Sequence, residues 1–172
     1  MMRFVFPSLR IRSWLVVLLA ATLASSASAQ GRGWLLFNPK DVDAVLVSDP
    51  VEKDHLQLGP WQIDGHFRYL PPATAGALAL HRLARPATFG TDRMFSTNLD
   101  EVHSLVSARY ADEGVVGFVA VKAGPPSLIP VFRYRKGDRS LWLMGEAGRK
   151  WAETAGWKTD APAFWVDAPD GG

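Results

Sequence analysis

A phrase that opens on an aromatic and reaches an acid three residues later recurs three times: WQIDGHFRY at 61–69, YADEGVVGF at 110–118 and WKTDAPAFW at 157–165. Trp61, Tyr110 and Trp157 lead it; Asp64, Glu113 and Asp160 follow; Tyr69, Phe118 and Trp165 close it. Upstream, DAVLVSDPVE (43–52) lies over DRMFSTNLDE (92–101) without a gap. The steps are 49 residues from Asp43 to Asp92, 49 from Trp61 to Tyr110 and 47 from Tyr110 to Trp157. A fixed period found at independent positions is the mark of a repeat architecture.

Each unit reads as strand, strand, helix, strand. WLLF (34–37), LHRL (80–83) and VFRY (131–134) open the units, and turn-forming NPKD, FGTD and KGD follow. A second strand comes next, as AVLVS (44–48) or RMFST (93–97). Asp49 precedes Pro50 and stands three before Glu52, and Asn98 stands three before Glu101, so both read as helix N-caps with an acid in the first turn. Gly59 and Gly156 are expected to end the first and third helices. RSLWLMGEAGRKW (139–151) needs about one extra residue to fit, and its helix is expected over 146–155. PPATAG (71–76) and KAGPPS (122–127) mark the joints. The expected fold is β-rich α+β: three repeats of about 48 residues (33–76, 77–128 and 129–167) sharing one core. A compact pseudo-threefold domain resembling a β-trefoil stands ahead of a row of stacked units. Trp61, Tyr69, Tyr110, Phe118, Trp157 and Trp165 are the expected core.

The first 29 residues carry Arg3, Arg10 and Arg12 ahead of the apolar WLVVLLAATLA, and Ala27-Ser28-Ala29 offers a cleavage site before Gln30. This is the pattern of a secretory signal peptide, and its apolar run is too short to span a bilayer. Residues 30–172 are therefore expected to be one exported domain, periplasmic or secreted, with no membrane span. Of the 19 Lys and Arg, three lie in the signal; the remaining sixteen meet 17 acids. The basic balance of the whole chain is thus no sign of nucleic acid. With no cysteine, disulfides, thiolate metal sites and cysteine nucleophiles are excluded.

LHRLARPATFGTDRMFSTNLDEVHSLVSARYADEGVVGFVAV (80–121) resembles a repeat of secreted bacterial proteins of the type "LYRLYNP-x-x-GDHFYT" followed by "GW-x-x-EG-x-x-x-Y". That family is a domain of unknown function, often an accessory module of wall-lytic and surface proteins. The resemblance spans about 33–167 and implies a wall- or glycan-binding role. Here the Asp-His step reads Asp92-Arg93 and the paired threonines read Ser96-Thr97. The first unit has Val47-Ser48 there, and lacks the strand arginine present as Arg82 and Arg133.

Catalytic signals are thin. His55, His66, His81 and His103 form no HExxH or comparable set, and Ser96, Thr97 and Ser104 near His103 lack a GxSxG elbow. Neither a metal nor a cofactor is expected. Asp43, Asp92 and Asp138 each end the turn between the first two strands, where a carboxylate either fixes the turn or faces a ligand. Carboxylates and arginines pair with sugar hydroxyls, and aromatic faces stack on sugar rings. The candidate binding residues are accordingly Asp92, Arg82, Thr97, Asp138, Arg133 and Trp142. The expected function is binding of a cell-wall polymer such as peptidoglycan, or another glycan, without catalysis. A structural or interaction domain for a surface protein is the second expectation, and a hydrolase the third.

Overall fold

The computed structural model describes residues 31–87, 90–159 and 161–169. The expected signal peptide, Phe89 of the second turn and Asp160 of the third phrase lie outside them. The element order is strand, strand, helix, strand three times over. The first set is β1 (Arg32–Asn38), β2 (Asp43–Val47), α1 (Pro50–Gln57) and β3 (Gln62–Arg68). The second is β4 (Ala77–Pro86), β5 (Thr91–Ser96), α2 (Leu99–Ser107) and β6 (Ala111–Ala120). The third is β7 (Leu128–Lys136), β8 (Arg139–Leu143), α3 (Glu146–Thr154) and β9 (Pro162–Asp167). No helix among the described residues is long and apolar enough to cross a membrane.

In every unit the first strand lies between the other two, antiparallel to both. Each ladder between first and third strands carries a register shift, at Leu35/Leu36, around His81 and at Val131/Phe132. Such bulges bend a strand, and they let each three-stranded element curl toward its neighbours. The nine strands join into one antiparallel sheet through β9, which meets β3 at Arg68↔Asp167 and β6 at Ala120↔Trp165. The first contact is tied by an Arg68–Asp167 ion pair of 2.6 Å. Away from this seam, β2, β5 and β8 touch one another pairwise. Buried Asp43 of β2 pairs with Arg93 of β5, and Arg139 of β8 donates to the carbonyls of Asp41 and Val42 at 3.1 and 2.9 Å. Trp142 Nε1 donates to the Arg93 carbonyl at 3.2 Å. Burial raises the pKa of Asp43, and the two arginines oppose that rise.

The helix starts follow the sequence grammar. Asp49 accepts from Val51 N at 2.8 Å, and Asn98 from Asp100 N at 2.9 Å and Glu101 N at 3.4 Å. The third helix starts at Gly145, which has no side chain to offer. Counting from these caps (49, 98 and 145) brings the third unit into line without an extra residue. The position of Asp43 and Asp92 is then Arg139, and Asp138 belongs to a two-residue turn closed by Lys136↔Arg139. The same count matches Leu35 to Arg82 and Arg133: Leu35↔Leu46, Arg82↔Phe95 and Arg133↔Trp142 are equivalent rungs.

The core differs in part from the expected one. Tyr69, Tyr110 and Trp157 are buried, but Trp61, Phe118 and Trp165 are only half-buried. Strand alternation explains the last two: Val119 and Val166 point inward, which turns their immediate neighbours away. Phe67 and Phe164 take inner places instead. Leading aromatics also serve their own unit first. Trp61 packs with Leu36, Val45, Val47 and Leu56, and Tyr110 with Leu83, Met94, Val102 and Leu105, sealing a hairpin to its helix. Trp157 joins the large shared cluster. Between units one and two, the Tyr69 ring occupies the place a side chain at Gly117 would need. At the far end of α1 the chain turns at Leu58 with Gly59 N donating to the Leu56 carbonyl; Gly59 does not take the left-handed conformation, whereas Gly156 does, at φ 81. Pro60 follows directly and cannot continue the helix.

Candidate functional site

The sites of interest lie where one unit's helix start meets the next unit's first strand. At the first such junction Arg82 of β4 reaches back to unit one. Its Nη1 lies 3.1 Å from Glu52 Oε1 and donates to the Leu46 carbonyl at 3.0 Å, while Nε lies 2.7 Å from Glu113 Oε2. One guanidinium is thus shared between two carboxylates and a carbonyl. The second junction repeats the design with Arg133 of β7, whose Nη1 lies 3.2 Å from Glu101 Oε1 and whose Nε donates to Ser140 Oγ at 3.1 Å. The remaining Glu101 oxygen accepts from Ser96 Oγ at 2.6 Å.

At this second junction a cleft of about 330 Å³ remains open. Its floor is aromatic: Phe95 meets Trp142 edge-on at 5.3 Å, and Trp142 stacks with Phe164 at 5.9 Å. The Arg133 guanidinium covers the Trp142 ring at 5.4 Å. Ser96, Thr97, Asn98 and Glu101 form one wall, from the end of β5 into α2; Arg133, Arg135, Lys158 and Thr159 form the other. Burial lowers the Arg133 pKa, and Arg135 beside it adds to that effect, while Glu101 opposes both. Chemically the arrangement can hold a polar ligand against an apolar floor, with hydroxyl, amide and cationic donors around the rim.

The third junction, from α3 back to β1, is built differently. The arginine position is Leu35, fully buried, and the glutamate position is Gly148. Asp64 of β3 enters the vacated space, where its Oδ2 accepts from Met144 N at 2.7 Å and Gly145 N at 2.9 Å. A Cβ at Gly148 would collide with Asp64 Oδ1. Burial raises the Asp64 pKa against the two backbone donors and Arg149. Phe37 and Trp151, 4.8 Å apart, line a second opening of about 300 Å³ here.

Of the six sequence candidates, Thr97, Arg133 and Trp142 come together in the cleft. The other three lie elsewhere: Arg82 holds the first junction, and Asp138 stands exposed in its tight turn. Asp92 is buried, bound by Arg85 at 2.9 Å and by the Tyr110 hydroxyl, whose pKa is pushed up to about 12 by burial and by that carboxylate. It braces its own hairpin, whereas Asp43 pairs with Arg93 of the second unit. Trp142 is 2 % exposed, so it floors the cleft without offering a free face.

Arg135 and Lys158 were not among the candidates. The sequence shows Arg133, Arg135, Lys136 and Arg139 as one run, and reads as a solvated strand end. The fold divides it: Arg133 and Arg135 share the cleft face, Lys136 Nζ donates to the Ala155 carbonyl at 2.7 Å, and Arg139 goes to unit one. The alternation of Arg133 and Arg135 along one strand was the available signal.

Among the described residues no three His, Asp or Glu side chains gather as a metal cage. His81 lies 3.2 Å from Asp112, and His55, His66 and His103 are exposed. No curated protein and no solved structure matched the chain. Residues 34–167 match the family described as a domain of unknown function, DUF5648, and the chain belongs to that family.

Proposed function

We propose that this chain is an exported, non-catalytic binding module for a cell-wall polymer or other glycan, and that the cleft between the second and third units is its site. The observation that carries this reading is the cleft itself: an open recess of about 330 Å³ over buried aromatics, with Thr97, Asn98, Arg133 and Thr159 on its walls. Four titratable side chains with shifted pKa values are engaged in holding the fold, which favours binding over catalysis. Asp43 is tied to Arg93, Asp64 to the entry of α3, Tyr110 to Asp92 and Tyr134 to Glu153. The finer architecture proposed with this reading is a closed pseudo-threefold ring in the manner of a β-trefoil. In its support, junctions run from unit one to two, two to three and three back to one.

Retention of the purified protein on insoluble peptidoglycan, together with a glycan array, tests the reading. Retention or array binding is expected, and Thr97→Ala should weaken it about fivefold, the size of losing one neutral hydrogen bond. A folded protein that binds neither would discard the glycan reading in favour of a protein partner. Export is checked on the full chain by its location in the cell and a mature N-terminus at Gln30.

A further inference from the structure

We infer that the cleft selects an anionic sugar, gripping a carboxylate or phosphate between Arg135 and Lys158; the inference rests on the glycan reading just given. These two residues face each other across an antiparallel bridge: Arg135 N donates to the Lys158 carbonyl at 2.7 Å, and Lys158 N to the Arg135 carbonyl at 3.0 Å. Directly opposed residues of such a pair present their side chains on one face, so two exposed cations stand side by side at the cleft wall. Like charges in that arrangement repel and weaken the pair.

The fold does not require them. The same rung in unit one is Phe37↔Gln62, and in unit two Ala84↔Ala111, both neutral. Only the unit that borders the open cleft carries two cations there. Arg133, two residues back on the same face, adds a third, and its charge is met by Glu101. Among the described residues Glu101 is the only carboxylate lining the cleft, and its oxygens are held by Arg133 and Ser96. Arg135 and Lys158 make no side-chain ion pair among the described residues, so among these the wall holds two positive charges that no carboxylate meets. An oxyanion between them would turn mutual repulsion into two charge-assisted hydrogen bonds. Thr97, Asn98 and Thr159 on the cleft walls would then take the sugar that bears it.

The test uses Arg135→Ala/Lys158→Ala, which copies the neutral pair of unit two. Calorimetric titration of the purified protein would employ an oligogalacturonate, a phosphorylated manno-oligosaccharide, a neutral malto-oligosaccharide of equal length, and inorganic phosphate. The parent should bind at least one acidic oligosaccharide tenfold or more tighter than the neutral one, with affinity falling as salt rises. Which acidic sugar wins tells carboxylate from phosphate. The double variant should lose that preference, keep its affinity for the neutral sugar, and melt no lower than the parent in ligand-free buffer. Equal binding of neutral and acidic sugars, unchanged in the variant, overturns the anion grip and leaves the glycan reading standing. If no sugar binds but phosphate raises the melting temperature of the parent alone, the glycan reading falls and the anion grip survives. If neither sugar nor phosphate acts on the parent, both fall. Should the double variant fail to fold, Lys158→Gln at its exposed position is read in the same way.

Discussion

At the first and second junctions a strand arginine reaches back to the glutamate in the first turn of the preceding helix: Arg82 to Glu52, and Arg133 to Glu101. At the third, both members of the pair are gone together, and Leu35 and Gly148 stand in their places. The space left by the glutamate side chain is taken by Asp64, which holds the backbone entering α3. Three sets of strand, strand, helix and strand thus meet by two different solutions. Loss of a single partner would have left a charge without its counterion; the joint loss removes the demand, and a glycine then admits a carboxylate from another strand. The comparison also explains where the open cleft lies. Arg82 fills its junction by engaging two carboxylates, whereas Arg133 stands over the Trp142 ring and an open cleft remains beside it.

The most severe way to break this comparison is to graft the charged clasp onto the third junction. Leu35→Arg places a cation at a fully buried core position, and Gly148→Glu drives a side chain into Asp64. Each change should destabilise by about 3 kcal/mol or more, and the double variant should recover little, since Asp64 still occupies the space. Denaturant unfolding measures all three; a double variant as stable as the parent would show the two junction designs to be interchangeable.

Next in size is removal of the existing clasps. Arg82→Leu should cost about 2 kcal/mol, because Glu52 and the Leu46 carbonyl lose a donor and Glu113 loses its ion-pair partner. Arg133→Leu should cost less, about 1 kcal/mol, because losing Glu101's partner is offset by relief of repulsion with Arg135. The ranking is the point to measure: an Arg133 variant less stable than the Arg82 variant reverses it.

Asp64 offers a pH test of the third junction. Its folded pKa is raised above the ordinary carboxylate value, so the folded state holds this proton more tightly than the unfolded chain. Its contribution to stability is therefore full at pH below that ordinary value and declines as pH rises through the folded pKa. Asp64→Asn keeps an oxygen for Met144 N and Gly145 N but does not titrate. The parent's stability relative to this variant should thus be greatest near pH 3 and shrink toward pH 7. Asp64→Ala, which removes the acceptor, should cost about 1–3 kcal/mol at either pH. A parent–Asn difference that grows toward neutral pH would contradict the burial argument.

Much of the unit was legible because its determinants are local. Asp49 with Pro50, and Asn98 with Glu101, mark helix starts within four residues, and turn residues separate the strands. What escaped the sequence depends on other units. Asp64 reads as one of three equivalent acids entering a strand, yet it serves a helix 80 residues away, and nothing within its own phrase encodes that. Asp92 reads as a turn acid that either fixes its turn or faces a ligand, and what decides between them, Arg85 and Tyr110 closing over it, comes from the fold. Matching Asp138 to Asp43 hid the deletion that shortens the third hairpin, and with it the place of Arg139. For the cleft, residue types were legible in Thr97 and Arg133, while the Arg135–Lys158 pair required knowing which rung joins β7 to the start of the third phrase.

The smallest expected effect compares the ends of the second and third helices. Trp157 N donates to the Ala152 carbonyl and Gly156 N to the Glu153 carbonyl; Tyr110 N and Arg109 N make the matching bonds to Leu105 and Val106. Both closures need a left-handed residue between helix and phrase, and they have it as Gly156 at φ 81 and Arg109 at φ 69. Glycine adopts that conformation without a Cβ clash, whereas arginine does not, so the second unit carries a local strain that the third avoids. Arg109 is exposed and makes no side-chain ion pair among the described residues, so little is lost with it. Arg109→Gly should therefore stabilise the protein by up to about 1 kcal/mol, the left-handed penalty less the extra freedom glycine brings to the unfolded chain. Gly156→Arg should destabilise by a similar amount; Gly156 does not line the cleft, so ligand affinity should be unchanged. Equal melting temperatures for parent and both variants would mean that the two helix ends, alike in hydrogen bonding, are alike in strain as well.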